Sequence, residues 1–259
     1  MPAPTAIIAH RGGALLWPEN SRMACEGAVR LGVDQLQVDV HPSRDGKVVV
    51  IHDATVDRTT DGSGPVATQA WAELSRLTLE GTEGEPMLLL EEVAEIVRPT
   101  SLLLRLEIKA DIAKRPYPGF PQLLTAVLRQ SRILDRTILS GFDADTLRTS
   151  ASLAGPRHHV WMFSADTLAE RGLDHVIATA RRQAMPALAT RWSALSTPTV
   201  DAAHEAGLEI GCFGCHDSIS IAAMLALGLD ELSTDRPDIA LQERALLSAS
   251  GDRPDRCQA

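Results

Sequence analysis

Short β-branched or apolar runs alternate with amphipathic stretches along the whole chain. Runs at 6–11, 35–40, 102–109, 137–142, 158–163, 187–191, 209–215 and 230–233 read as strands. Helical periodicity occupies 20–31, 122–132, 174–182, 199–206 and 219–227 between them. Asn20, Asp143 and Thr197 are expected as N-caps, and Gly32, Gly207 and Gly228 as C-terminal stops. Strands that alternate with helices predict an α/β fold, a (β/α)8 TIM barrel formed by one domain over residues 1–250. Residues 251–259 read as a polar tail.

One stretch breaks the rhythm. Residues 41–101, between the second and third barrel strands, contain a turn at Asp45-Gly46, an extra strand at 47–52 and a Gly-rich loop at 59–64. Helical pieces at 69–77 and 88–97 follow. This is an insertion in a βα loop, and βα loops lie on the catalytic face of such a barrel.

Strand alternation sorts the polar residues by face. Leu36, Val38 and Val40 must meet the helices, so Gln37 and Asp39 point into the barrel near its C-terminal mouth. Glu107 and Lys109 share a face of the next strand. His10 closes the first strand and His52 the extra one. A single strand-end histidine is more often a plain hydrogen-bonding residue. Several charges converging on one mouth are costly without partners, so a metal-and-phosphate site is the economical reading. Carboxylate oxygens suit Mg²⁺ or Ca²⁺ rather than a soft metal.

Composition narrows the setting. A hydrophobic fraction of 44% supports a sizeable core, but aromatics make up only 3%, so aliphatic side chains must fill it. The formal net charge of −9 argues against general affinity for nucleic acid or an acidic membrane surface. No apolar run approaches the ~18 residues of a membrane span, and the start lacks a signal-peptide pattern, so a cytoplasmic location is expected. The 4 cysteines do not make a disulfide framework. Cys212-Phe213-Gly214-Cys215-His216 matches a haem-attachment or dithiol spacing, but it falls in a barrel strand, which disfavours both.

An ordered set of short motifs then becomes informative. His10-Arg11-Gly12, Pro18-Glu19-Asn20, Gln37-Val38-Asp39-Val40, Asp45-Gly46 and His52-Asp53 are followed by Arg58-Thr59-Thr60-Asp61-Gly62-Ser63-Gly64. Leu106-Glu107-Ile108-Lys109 and Thr234-Asp235-Arg236-Pro237 complete the series. Together they resemble the glycerophosphodiester phosphodiesterase family from residue 7 to about 240. The resemblance implies metal-dependent hydrolysis of a small-molecule glycerophosphodiester to glycerol 3-phosphate and an alcohol. It makes His10 and His52 the acid/base pair, Arg11 and Lys109 phosphate contacts, and Gln37, Asp39 and Glu107 ligands of one divalent cation. Phe213 takes the glycerol side. No stable membrane insertion is implied, and oligomeric state is not readable.

Two departures matter. Gln37 stands where the family usually has glutamate, so the metal is expected to bind weakly. Phe213-Gly214-Cys215-His216 stands where the family has a Trp-Thr-Val-Asn-like run, which keeps an aromatic wall without an indole N–H. The aromatic-rich loop before Gly84-Glu85-Pro86 is also shortened. The alternative reading is a catalytically weakened barrel that binds glycerophosphodiesters or other anions.

Overall fold

A computed structural model describes residues 4–153, 155 and 157–250. Its strands are β1 (Ala6–Ala9), β2 (Gln35–Pro42), β3 (Val48–Val50), β4 (Leu88–Leu89), β5 (Leu103–Ile108) and β6 (Thr137–Gly141). They continue with β7 (His158–Met162), β8 (Ala187–Arg191), β9 (Glu209–Phe213) and β10 (Glu231–Thr234). Parallel pairing runs β1-β10-β9-β8-β7-β6-β5-β2 and closes through β1 on β2. The eight-stranded parallel barrel expected from the sequence is present. β3 and β4 extend it as an antiparallel flap on β2.

The faces of β2 follow the alternation. Leu36, Val38 and Val40 are fully buried in the layer between sheet and helices. Gln35, Gln37 and Asp39 point into the bore. There Gln35 Nε2 donates to Glu231 at 2.8 Å, and Arg105 pairs with the same carboxylate. This buried pair floors the polar half of the barrel; removing either partner would leave a charge whose isolation costs about 3–5 kcal/mol. The opposite half is apolar, filled by Ile138, Val160, Met162 and Ala189.

The insertion carries its own core. Val48 and Val50 of β3 face the main core, while Val49 and Ile51 face a second cluster with Val56, Val66, Leu74, Leu79 and Met87. One alternating strand thus joins two hydrophobic cores.

Several local expectations need correction. β1 ends at Ala9, and His10–Gly12 form a 3₁₀ turn, so His10 lies just beyond the strand. The next helix runs Arg22–Leu31, capped by Ser21, whose hydroxyl accepts from the Ala24 N–H at 3.0 Å. Asn20 is not that cap: it is buried with φ 57° and serves the site instead. Thr197 is the first residue of the helix Thr197–Glu205, with Ser196 in the cap position. Asp143 caps Ala144–Ser152 as expected. Ala165–Arg171 and Pro237–Ser250 are further helices of the barrel's outer layer. The helical pattern at 69–77 contracts to Trp71–Leu74. The polar tail at 251–259 lies outside the described residues.

Candidate active site

The site forms at the C-terminal mouth, where strand register sets the neighbours. β2 and β5 pair Gln37 with Arg105 and Asp39 with Glu107. Two carboxylates are therefore adjacent, and an isolated pair of that kind would be unfavourable. Lys109 resolves the conflict: its Nζ lies 2.5 Å from Glu107 and 3.1 Å from Asp39. Burial alone would lower the Lys109 pKa, but the two carboxylates raise it above the usual lysine value. Burial opposes charge on Asp39 as well, yet Lys109, His52, His10 and Arg11 together hold its carboxyl well below the usual range.

The 3₁₀ turn after β1 locks onto this group. Arg11 has φ 51°, and Gly12 at φ 84° lies so close to Ala24 that a Cβ would come within 2.6 Å of it. A side chain at position 12 is thus excluded, which explains the glycine of His10-Arg11-Gly12. The Arg11 N–H donates to Gln37 Oε1 at 2.7 Å, and Gln37 Nε2 donates to Asp39 Oδ1 at 3.1 Å. Asn20 completes the clasp, its Nδ2 donating to Asp39 Oδ2 at 3.0 Å while its Oδ1 accepts from the Asp39 N–H at 3.2 Å.

Two histidine–aspartate pairs flank the cluster. His10 Nδ1 lies 2.6 Å from Asp235, and His52 Nδ1 lies 2.6 Å from Asp53. Each ring thereby turns Nε2 away from its carboxylate, leaving one nitrogen for proton transfer. Asp53 follows His52 in the chain and its side chain folds back onto the ring. Burial lowers the His52 pKa below the ordinary histidine value. Asp53 is held low chiefly by its hydrogen bond from Arg58, which also chelates Glu19. Glu19 in turn accepts from Arg11 at 3.1 Å, so a carboxylate–guanidinium chain ties the two sides of the mouth together.

His216 adds a third ring. Its Nδ1 accepts from the Asp235 N–H at 3.2 Å, and its Nε2 lies 3.4 Å from the Asp235 carboxylate. Asp235 and Asp53 were visible only as parts of motifs, and Asn20 was expected as a helix cap. The signal that could have found the aspartates is that a half-buried histidine ring needs an acceptor to fix its orientation.

A cavity of about 500 Å³ in the bore is lined by His10, Arg11, His52, Lys109, Phe213 and Asp235. Phe213 packs edge-to-face on Phe142, ring centres 6.3 Å apart. Sequence reasoning thus brought His10, His52, Arg11, Lys109, Glu107 and Phe213 to one place, and the structure brings them together around this cavity.

The three expected metal ligands lie together beside it, with Asp39 fully buried, but as arranged they fit an ammonium ion and not a divalent metal. Lys109 occupies the position between Asp39 and Glu107. The Gln37 oxygen is engaged by the Arg11 N–H; turning the amide over would set oxygen against Asp39 and NH₂ against N–H. Arg11 Nε, buried without a hydrogen-bond partner, lies 3.7 Å from Asp39 Oδ2 and brings a second positive charge to that carboxylate. Among the described residues no group of three or more His, Cys, Asp and Glu is placed to hold a metal ion.

Comparison with known proteins agrees with the geometry. Residues 10–239 match the model of the Glycerophosphoryl diester phosphodiesterase family. A glycerophosphodiester phosphodiesterase of Bacillus altitudinis is 30% identical over 246 residues, covering 93% of this chain and 98% of that protein. One from Caldanaerobacter subterraneus subsp. tengcongensis is 37% identical over 155 residues, covering 58% of this chain and 63% of that protein. The solved structure of an Oleispira antarctica phosphodiesterase, in complex with its product sn-glycerol-3-phosphate, superposes with a TM-score of 0.79. It is 25% identical, covering 93% of this chain and 96% of that one. The chain therefore belongs to the glycerophosphoryl diester phosphodiesterase family.

Proposed function

We propose that this chain hydrolyses glycerophosphodiesters to glycerol 3-phosphate and an alcohol, using His10 and His52 as its acid/base pair. The observation that carries the reading is the pair of His–Asp dyads at one mouth, with Lys109 and Arg11 beside them. A diester phosphate there meets two cationic side chains that stabilise the charge growing on its non-bridging oxygens. One imidazole Nε2 takes the proton of the attacking hydroxyl, that of water or that on the neighbouring glycerol carbon, as its oxygen bonds to phosphorus. The other delivers a proton to the departing alcohol oxygen as its bond to phosphorus breaks. Where the glycerol hydroxyl attacks, water then opens the resulting cyclic diester to glycerol 3-phosphate. Phe213 gives the glycerol carbons an apolar wall.

A divalent cation, Mg²⁺ or Ca²⁺, belongs to this reading as a weakly held cofactor. Asp39 and Glu107 would supply charge and Gln37 a neutral oxygen, but only after Lys109 leaves its carboxylates and the Gln37 amide releases Arg11. No helix among the described residues is long and apolar enough to cross a membrane, which accords with a small dissolved substrate.

The test is turnover of glycerophosphocholine and glycerophosphoethanolamine with Mg²⁺, Ca²⁺ or EDTA. His10→Ala and His52→Ala should each lower kcat by roughly 10²–10⁴-fold. Absence of glycerol 3-phosphate under every condition would leave the weakened, ligand-binding barrel as the better reading.

A further inference from the structure

The reactive groups border two cavities, not one. Beside the bore lies a second cavity of about 650 Å³, between the segments that follow β5 and β6. His52, Glu107, Lys109 and Phe142 line both, whereas His10 and Arg11 line only the bore. A diester whose phosphorus sits at the shared groups extends one ester arm into each.

The two spaces differ in chemistry. Arg191, His216, Ser233 and Asp235 give the bore polar contacts suited to glycerol hydroxyls. The second cavity is walled by Ile108, Pro116, Tyr117, Phe120 and Leu147. Ile112 and Phe142 stand at its lip, 59% and 52% exposed, although solvent contact gains such side chains nothing. Its carboxylates are already engaged. Asp53 serves His52 and Arg58, Asp111 serves Arg115, and Asp143 accepts from the Thr146 N–H. Lys114 adds a positive charge to the rim. A cationic head group entering here finds aromatic rings and, apart from the helix-capping Asp143, only carboxylates already paired with histidine, arginine or lysine.

We propose that this second cavity binds the non-glycerol alcohol of the diester and selects one with a neutral, apolar body, aliphatic or aromatic, over a cationic head group. The proposal rests on the phosphodiesterase reading and names the substrate class of that same site. Each methylene buried against these walls is worth roughly fourfold in affinity, so a short alkyl chain is enough to dominate selection.

The experiment compares the hexyl, ethanolamine and choline esters of glycerol 3-phosphate, each below any micelle concentration, by release of glycerol 3-phosphate. The hexyl ester should show kcat/KM at least tenfold above both others. Ile112→Ser and Phe142→Ser should each shrink that ratio severalfold, mainly through the KM of the hexyl ester. A choline or ethanolamine ester turned over as efficiently as the hexyl one would overturn the inference and leave the phosphodiesterase reading intact. So would a hexyl preference that neither substitution moves. No glycerol 3-phosphate from any of the three would overturn both.

Discussion

Gln37→Glu replaces one atom, and its consequence follows from two hydrogen bonds. In the native site Gln37 Nε2 donates to Asp39 Oδ1 at 3.1 Å and Oε1 accepts from the Arg11 N–H. Glutamate keeps the second contact and turns the first into two carboxylate oxygens facing one another. Unit charges at that separation repel by about 5 kcal/mol at an effective dielectric constant near 20. Lys109 and Arg11 offset part of this, leaving a destabilisation of roughly 2–4 kcal/mol. For a chain of this size that lowers Tm by about 5–15 °C. The same change supplies the third charged oxygen that a divalent cation needs. Thermal melts of both proteins in EDTA, Mg²⁺ and Ca²⁺, with calorimetric titration of each ion, test the reasoning. The variant should melt low in EDTA and recover with the ion, whereas the native protein should respond little and bind no ion with sub-micromolar affinity. A variant as stable as native in EDTA would refute the assigned hydrogen bonding of Gln37. Tight binding by the native protein would refute the account of its donor set.

Two further outcomes follow from other contacts. Asp235→Asn keeps the shape beside His10 but removes the charge that orients the ring; kcat should fall roughly 10–10³-fold with an unchanged circular-dichroism melt. A fall in Tm matching the loss of activity would instead make Asp235 a structural residue. His41 is buried between the Tyr117 hydroxyl, 2.9 Å from Nδ1, and the His52 carbonyl, 3.1 Å from Nε2, and burial lowers its pKa to about 4. The unfolded chain takes up that proton near 6.5, so the contribution to stability is complete above pH 6.5 and is lost as pH falls toward 4. Between pH 7 and 5 it amounts to about 2 kcal/mol. Urea midpoints across this range should slope less steeply in His41→Gln; equal slopes would refute the assignment.

The barrel was legible because its strands carry one apolar face each, as Leu36, Val38 and Val40 do beside Gln37 and Asp39. Helices such as Pro237–Ser250 were less so, since their apolar stripe is weak and the strand pattern does not require them to have particular ends. His10, His52 and Lys109 could be placed because strand periodicity and motif order coincide there. Asn20 misled, since a residue type favoured at caps was read as one, while the left-handed turn that aims it at Asp39 leaves no local mark. The engagement of Gln37 was invisible for a related reason. Its partner is the backbone N–H of Arg11, twenty-six positions away, and a strained turn decides where that N–H points.

The strand that joins two hydrophobic cores has a consequence for how activity can be lost. His10 is held by the barrel, whereas His52 lies just beyond β3, carried by the inserted unit around Val49, Ile51 and Met87. The proposed acid/base pair is therefore split between two separately packed bodies, and its geometry reports on their docking. Local opening of the smaller body would withdraw one histidine while the barrel stayed folded. A cavity cut into that cluster, far from any substrate atom, would act as an attenuator of turnover and leave the barrel's amides protected from hydrogen exchange.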